Sequence, residues 1–275
     1  MSVRGELLRG GVAYLVLLGG AALTVAPLVL SALTALKSPR QFGADSPLAL
    51  PNPWTGENFR LVLDQGLGRA LVVTALMTAC ITLGQLVFSV LAAYAFARTE
   101  FPGRDALFWV YLATMMVPPM VTLIPLYLMF AKAGLLNTFW ALVLPFVFGS
   151  PYAIFLLRQY FRGIPEELIG AARLDGASTL DVIVHVVVPM SRPVLATLTV
   201  ITIVSQWNNF MWPLVASSGP RWQVLTVATA NLQTEYDARW TLVLAATTLA
   251  IVPLVVVFLA FQRQVLRSIS WTGLK

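Results

Sequence analysis

Two stretches hold most of the polar side chains available for chemistry. Residues 165–181, PEELIGAARLDGASTLD, place Glu166, Glu167, Arg173, Asp175 and Asp181 close together. The single histidine, His185, follows with no nucleophile motif near it, so it reads as a helix-surface or interface residue rather than a catalytic base. The second stretch, SQWNNFMWP (205–213), sets Gln206, Asn208 and Asn209 beside Trp207 and Trp212. Neutral amides bond hydroxyls and indole faces cover C–H surfaces, so these five residues suit a sugar in transit. Hydrogen bonding between membrane helices is the plainer use of the same side chains. Cys80 is the only cysteine; that excludes an intrachain disulfide and a cysteine-based metal site, and its apolar surroundings predict a core position. No GxxxxGK[ST] phosphate loop occurs, so energy from ATP must come from another chain.

The charged stretch parses as two short helices around a turn. Pro165 suits the first helical position, where a missing N–H costs nothing. Glu166 and Glu167 then meet the positive end of the helix dipole. Leu168, Ala171 and Ala172 make an apolar stripe at i, i+3 and i+4. Asp175-Gly176 stops the helix, with glycine free to turn left-handed. Ser178 and Asp181 have capping-box spacing for a second helix, whose apolar face is Val182, Ile183, Val186 and Val187 and which Pro189 ends. The first helix is too short to stand alone in water, and Gly170-Ala171-Ala172 lets another backbone approach closely. The residues leave open whether it docks on a second protein or on the chain's own end.

The elements that carry these helices are apolar. Of 275 residues, 58% are hydrophobic and 11% charged, against about 25% charged in a soluble domain. A membrane span takes about 20 apolar residues, and six segments qualify: 11–36, 70–97, 106–130, 139–158, 193–216 and 240–262. The first exceeds a signal-peptide core and reads as a retained span. The predicted class is therefore all-α, a polytopic membrane protein forming a single transmembrane domain. With the N-terminus inside, eleven basic residues face the cytoplasm (Arg4, Arg9, Arg98, Arg104, Arg158, Arg162, Arg173, Arg192, Arg263, Arg267, Lys275) and seven face out (Lys37, Arg40, Arg60, Arg69, Lys132, Arg221, Arg239). This bias puts both termini and the charged stretch, within loop 159–192, in the cytoplasm. Loop 217–239 is then external, and interval 37–69 reads as a solvated connector. MMVPPMVTLIP (115–125) predicts a sharp kink in the third span.

The interiors of the six segments carry no Asp, Glu, Lys, Arg or His. Proton-coupled carriers place ionisable groups at that depth, so their absence argues against proton coupling. Sodium coupling through backbone carbonyls stays open, and a self-sufficient carrier or channel is the competing reading. No clustered constellation supports a membrane enzyme.

The run AARLDGAS, followed by VVVPMSRP, resembles the EAA loop of importer-type ABC permeases. The pattern falls on Ala171-Ala172, Asp175-Gly176-Ala177 and Val187-Val188-Pro189, with Gly170 where the family carries its glutamate. AAYAFARTEFPGR (92–104), GLLNTFWALVLPFV (134–147), WNNFMWPL (207–214) and FQRQVLRSIS (261–270) extend the resemblance to the carbohydrate-uptake branch, closest to the second permease of maltose-type and glycerol-3-phosphate-type systems. The tail SWTGLK departs from the glycine-rich form of relatives. This resemblance implies a bacterial plasma-membrane permease subunit with no catalysis and no cofactor of its own. It implies a second homologous permease, two cytoplasmic ATPases carrying ATP and Mg, and an extracytoplasmic substrate-binding protein that loop 217–239 reaches. It assigns ATPase coupling to Glu166, Glu167, Gly170, Ala171, Ala172, Asp175, Gly176, Ala177 and Pro189.

Overall fold

A computed structural model describes residues 3–233 and 239–270, with side chains from 11–233 and 239–263. The side chains of Arg4, Arg9, Arg267 and Lys275, part of loop 217–239 and the end of the SWTGLK tail lie outside the described residues. The regular elements among the described residues are helices, the all-α class read from the composition. Contacts divide the chain into two compact units, residues 1–68 with 228–253, and residues 69–227 with 254–275.

Three helical stretches are long and apolar enough to cross a membrane, Gly11–Ala35, Glu57–Arg98 and Trp240–Arg263. They contain the expected segments 70–97 and 240–262 whole and 11–36 but for its last residue. Pro27 and Pro253 lie inside unbroken helices, as membrane helices allow. Interval 37–69 holds short helices, Pro39–Ala44 and Glu57–Val62, rather than a plain connector.

The other three expected segments are interrupted. In 106–130, Pro118 is extended (ψ 133°) ahead of Pro119, and Arg104–Met116 bends by 99° onto Pro119–Lys132; a residue before proline is forced out of the helical region. In 139–158, helix Phe139–Val143 ends before Pro145, and Ser150 caps the restart at Pro151 by accepting from the Ala153 N–H at 3.1 Å. In 193–216, Arg192–Trp207 stops at Asn208 and the chain resumes as Met211–Ala216.

Within the second unit, the largest core joins Ala93, Tyr94 and Phe96 to Phe108, Leu157 and Phe161. Ile169, Val182, Ile183 and Val187 from the charged loop belong to this same core. A smaller core sets Val73, Met77 and Ile81 against Leu142, Val143 and Val224. Cys80, expected in a core, is exposed. In a helix apolar on every side, composition does not mark which face turns outward.

Candidate functional site

The charged loop is held by its own chain on one face and bare on the other. Pro165 caps the helix Glu166–Leu174, one residue outside the position expected for it, and Glu166 and Glu167 occupy the first turn. The helix ends in a complete Schellman turn. Gly176 sits at φ +85°, its N–H donates to the Arg173 carbonyl, and the Ala177 N–H donates to that of Ala172, both at 3.0 Å. The Ser178–Asp181 capping box is present, with the Ser178 N–H donating to Asp181 Oδ2 at 3.0 Å and the Asp181 N–H to Ser178 Oγ at 3.3 Å. The Ser178 hydroxyl, then its N–H, holds the Asp181 carboxyl below the ordinary carboxylate range. The box is therefore closed at neutral pH and opens only in acid, as pH falls through that lowered value. His185 is exposed, its Nδ1 3.1 Å from the Asp181 carbonyl, as a helix-surface residue should be.

The predicted stripe of Leu168, Ala171 and Ala172 is split between two faces. Ile169 is buried and Ala172 packs against the core, while Leu168 and Ala171 are exposed and Leu174 is 91% exposed. Apolar residues cover more than half of the helix circumference, opposite Glu166, Glu167 and Arg173, so helical spacing fits both Leu168-Ala171-Ala172 and Ile169-Ala172. A Cβ built on Gly170 meets nothing within 4 Å, so that flank is open too.

Pro189 does not end the second helix. A π-turn, Ile183–Val187, widens the ladder and the Val188 N–H reaches the Ile183 carbonyl. The helix then runs through Pro189 to Met190, the wider turn accommodating the missing N–H. The chain bends by 83° only at Ser191, where Arg192–Trp207 begins.

Two arginines anchor the base of this loop. Arg98 donates to the Phe161 carbonyl through Nη2 at 2.6 Å and also to that of Ile164, beside Pro165. Arg158 donates to the Phe96 carbonyl at 3.1 Å and to Asp105 Oδ1 at 2.9 Å, and its guanidinium lies 4.0 Å from the Phe108 ring centroid. In the sequence both read only as basic residues at span ends; no local signal shows which of several arginines is buried.

The second feature is a cavity of about 450 Å³ within the same unit. Its lining includes Pro119 and Met120, Phe146, and Asn208 to Trp212. Each of the three interrupted segments thus contributes a residue at or next to its break. Irregular backbone at membrane depth persists only where it is buried in protein or lines a cavity. Of the five proposed path residues, Gln206, Asn208, Asn209 and Trp212 line it, and Trp207 is buried elsewhere. The Trp212 indole N–H is committed to the fold, donating to the Ala141 carbonyl at 2.8 Å, so that residue offers the cavity its ring. Asn209 Nδ2 lies 3.4 Å from Gln206 Oε1, a long contact, and the Asn208 amide donates to the Val204 carbonyl of its own helix at 2.8 Å. The lining contains no Asp, Glu, Lys, Arg or His. Among the described residues no cluster of His, Cys, Asp or Glu could hold a metal.

One close approach holds the unwound segment in place. A Cβ on Gly84 would overlap Val147 Cγ2 and lie 2.7 Å from the Val147 carbonyl oxygen. Gly84→Ala should therefore shift that segment and destabilise the protein by about 1–3 kcal/mol, the usual range for overpacking. Thermal unfolding in detergent would read this as a lowered Tm; an unchanged Tm would refute the contact.

Comparison with known proteins fits this geometry. Residues 85–271 match the family described as "Binding-protein-dependent transport system inner membrane component". The chain is 31% identical over 265 residues to the sn-glycerol-3-phosphate transport system permease protein UgpE of Yersinia pestis, covering 93% of this chain and 94% of the relative. It is 35% identical over 190 residues to the arabinooligosaccharides transport system permease protein AraQ of Halalkalibacterium halodurans, covering 69% and 68%. A chain in the crystal structure of a bacterial ABC transporter that imports the acidic polysaccharide alginate shares the fold, with a TM-score of 0.84 at 23% identity over 96% of this chain and 98% of that one. The family match spans the whole charged loop and all of the cavity lining, and with 31% identity over nearly the full length of a known permease it places this chain in the family of inner membrane components of binding-protein-dependent transport systems.

Proposed function

We propose that this permease forms half of the path for an uncharged sugar or polyol, and that helix Glu166–Leu174 is the coupling helix through which a cytoplasmic ATPase drives it. The observation that carries the reading is the two-sided loop: Ile169 and the second helix are locked into the core, while Leu168, Gly170, Ala171 and Leu174 stay open on one short helix. A helix of nine residues with exposed leucines is built to be covered by a partner. The chain would then have six spans, three of them broken at the cavity, with both termini and loop 159–192 in the cytoplasm. Its partners would be a second permease, two ATPases and an extracytoplasmic binding protein. When ATP closes the ATPase dimer, the seated helix moves, and the Thr179–Met190 helix carries that motion through the bend at Ser191 into Arg192–Trp207. ATP binding thereby shifts the population towards the outward-open state.

Relatives carry sn-glycerol-3-phosphate, an anion, or arabinooligosaccharides in their names; the uncharged lining here supports a neutral substrate. Gln206→Leu and Asn209→Leu should each lower uptake about tenfold, the worth of one or two hydrogen bonds, without releasing the ATPase. Transport assays on membrane vesicles, paired with pull-down, check both halves of that expectation.

Purification from native membranes in mild detergent, with mass spectrometry of what accompanies the chain, tests the reading as a whole. A cytoplasmic ATPase and a second permease are expected. A homo-oligomer with no ATPase would favour a self-sufficient carrier.

A further inference from the structure

Residues 37–58 bury several polar side chains while a patch of large apolar ones stays exposed. Lys37, Gln41 and Asn58 are buried. The Asn58 carboxamide donates to the carbonyls of Ala35 and Lys37 at 2.7 and 2.8 Å, closing the end of the first long helix. Lys37 Nζ donates to the carbonyl of Pro47 at 3.1 Å, and Gln41 donates to that of Leu50 at 3.0 Å while accepting from the Asn52 N–H at 3.1 Å. Leu48, Leu50 and Trp54 are 71%, 66% and 66% exposed. Arg40, Asp45, Asn52 and Glu57 are exposed as well, so the unusual feature is the local patch of three large apolar side chains.

The position of the loop identifies what covers it. The Thr55 N–H donates to the Leu36 carbonyl at 3.0 Å, so Trp54 is held at the level where the span Gly11–Ala35 ends. That span is apolar and exposed from Gly11 to Val29, a lipid-facing surface, and packs into the protein only at Thr34 and Ala35, where the loop begins. Tryptophan gathers at this depth, its ring half in hydrocarbon and its N–H among headgroups.

We propose that Leu48, Leu50 and Trp54 insert into the headgroup–acyl boundary of the bilayer, making residues 46–54 an interfacial anchor that fixes the depth of the first span. The polar staples give the anchor its rigidity, since an ordered loop inserts its leucines without losing backbone freedom at that moment. The inference rests on family membership and the loop's own geometry, not on the coupling reading.

The test uses the intact transporter in phosphatidylcholine–phosphatidylglycerol nanodiscs. A nitroxide is placed at Trp54→Cys or, separately, Leu50→Cys, each in a Cys80→Ser background, and its collisions with oxygen and a water-soluble nickel chelate are measured. Oxygen should dominate, with a depth within about 8 Å of the phosphate level. In unlabelled protein, brominated lipid should quench a component of the emission that Trp54→Phe lacks. Free access of nickel at both positions would overturn the proposal, as would shielding that appears only on adding the substrate-binding protein. Absence of a Trp54-dependent quenched component would also overturn it.

Discussion

Leu174→Asp is expected to abolish uptake while leaving the permease folded in the membrane. Leu174 is 91% exposed and sits at the end of a helix whose fold is secured elsewhere, by Ile169, the Schellman turn and the capping box. The substitution removes little burial, and an aspartate at the helix C-terminus costs about 0.3–1 kcal/mol, so the unfolding temperature should fall only slightly. Against an ATPase groove the same change buries a carboxylate where a leucine sat, and a central apolar anchor is worth about 2 kcal/mol or more. ATPase recovery in detergent should fall about thirtyfold or further, since each 1.4 kcal/mol is a factor of ten. Gly170→Glu is the counterpart. The position has open space for a side chain, and glycine within a helix costs about 0.5–1 kcal/mol relative to alanine. Restoring the glutamate should thus preserve uptake and ATPase recovery. Wild-type uptake by Leu174→Asp, or loss of uptake in Gly170→Glu with no loss of folding, would contradict this account of the helix face.

The second large effect concerns the anchor beneath that helix. The Arg158 side chain is only 7% exposed while that of Asp105 is 62% exposed, so the pair is lopsided. Removing the carboxylate leaves a buried cation with one carbonyl and the Phe108 ring. Breaking a buried pair costs about 3–5 kcal/mol; because Asp105 stands partly in water, we expect Asp105→Ala to cost about 2–3 kcal/mol. Arg158→Met removes the cation but keeps an apolar stem on Phe108. It leaves the Asp105 carboxylate in water but takes the donor from the buried Phe96 carbonyl, so this variant should lose about 1–3 kcal/mol. The decisive comparison is the double variant, in which Asp105→Ala should add little to the Arg158→Met loss. Additive losses, read as Tm in detergent, would show that the pair does not couple in this way.

Much of this was legible in the residues, and what was not has physical causes. The charged loop could be parsed because water imposes punctuation. Asp175-Gly176 and Ser178-x-x-Asp181 are signals that a solvated backbone needs, and both form as read. Inside lipid that punctuation is weak. Pro118-Pro119 announced its bend, but Pro27 and Pro253, of the same type, interrupt nothing. Asn208 and Asn209 could be read as polar groups suited to a sugar, yet their placement at a helix break facing a cavity depends on Pro119 and Phe146, which are remote in sequence. Which face turns inward is not legible where a helix is apolar on every side, as at Cys80, or where its apolar face is broad enough to hold two stripes, as at Ile169 against Leu168. The ring of Trp212 is legible as a sugar-facing surface, but the hydrogen bond that commits its indole N–H to Ala141, 71 residues away, is not.

Whether the helix Glu166–Leu174 seats in an ATPase decides how this permease is driven. Ala171 is exposed on it, and Cys80 is the only native thiol. A photoactivatable cross-linker on Ala171→Cys in a Cys80→Ser background, activated in native membranes, tests this most directly. We predict a covalent adduct with a cytoplasmic ATPase, weakened by Leu174→Asp in the same chain. An adduct confined to this permease or to lipid, with no ATPase captured, would contradict the central claim.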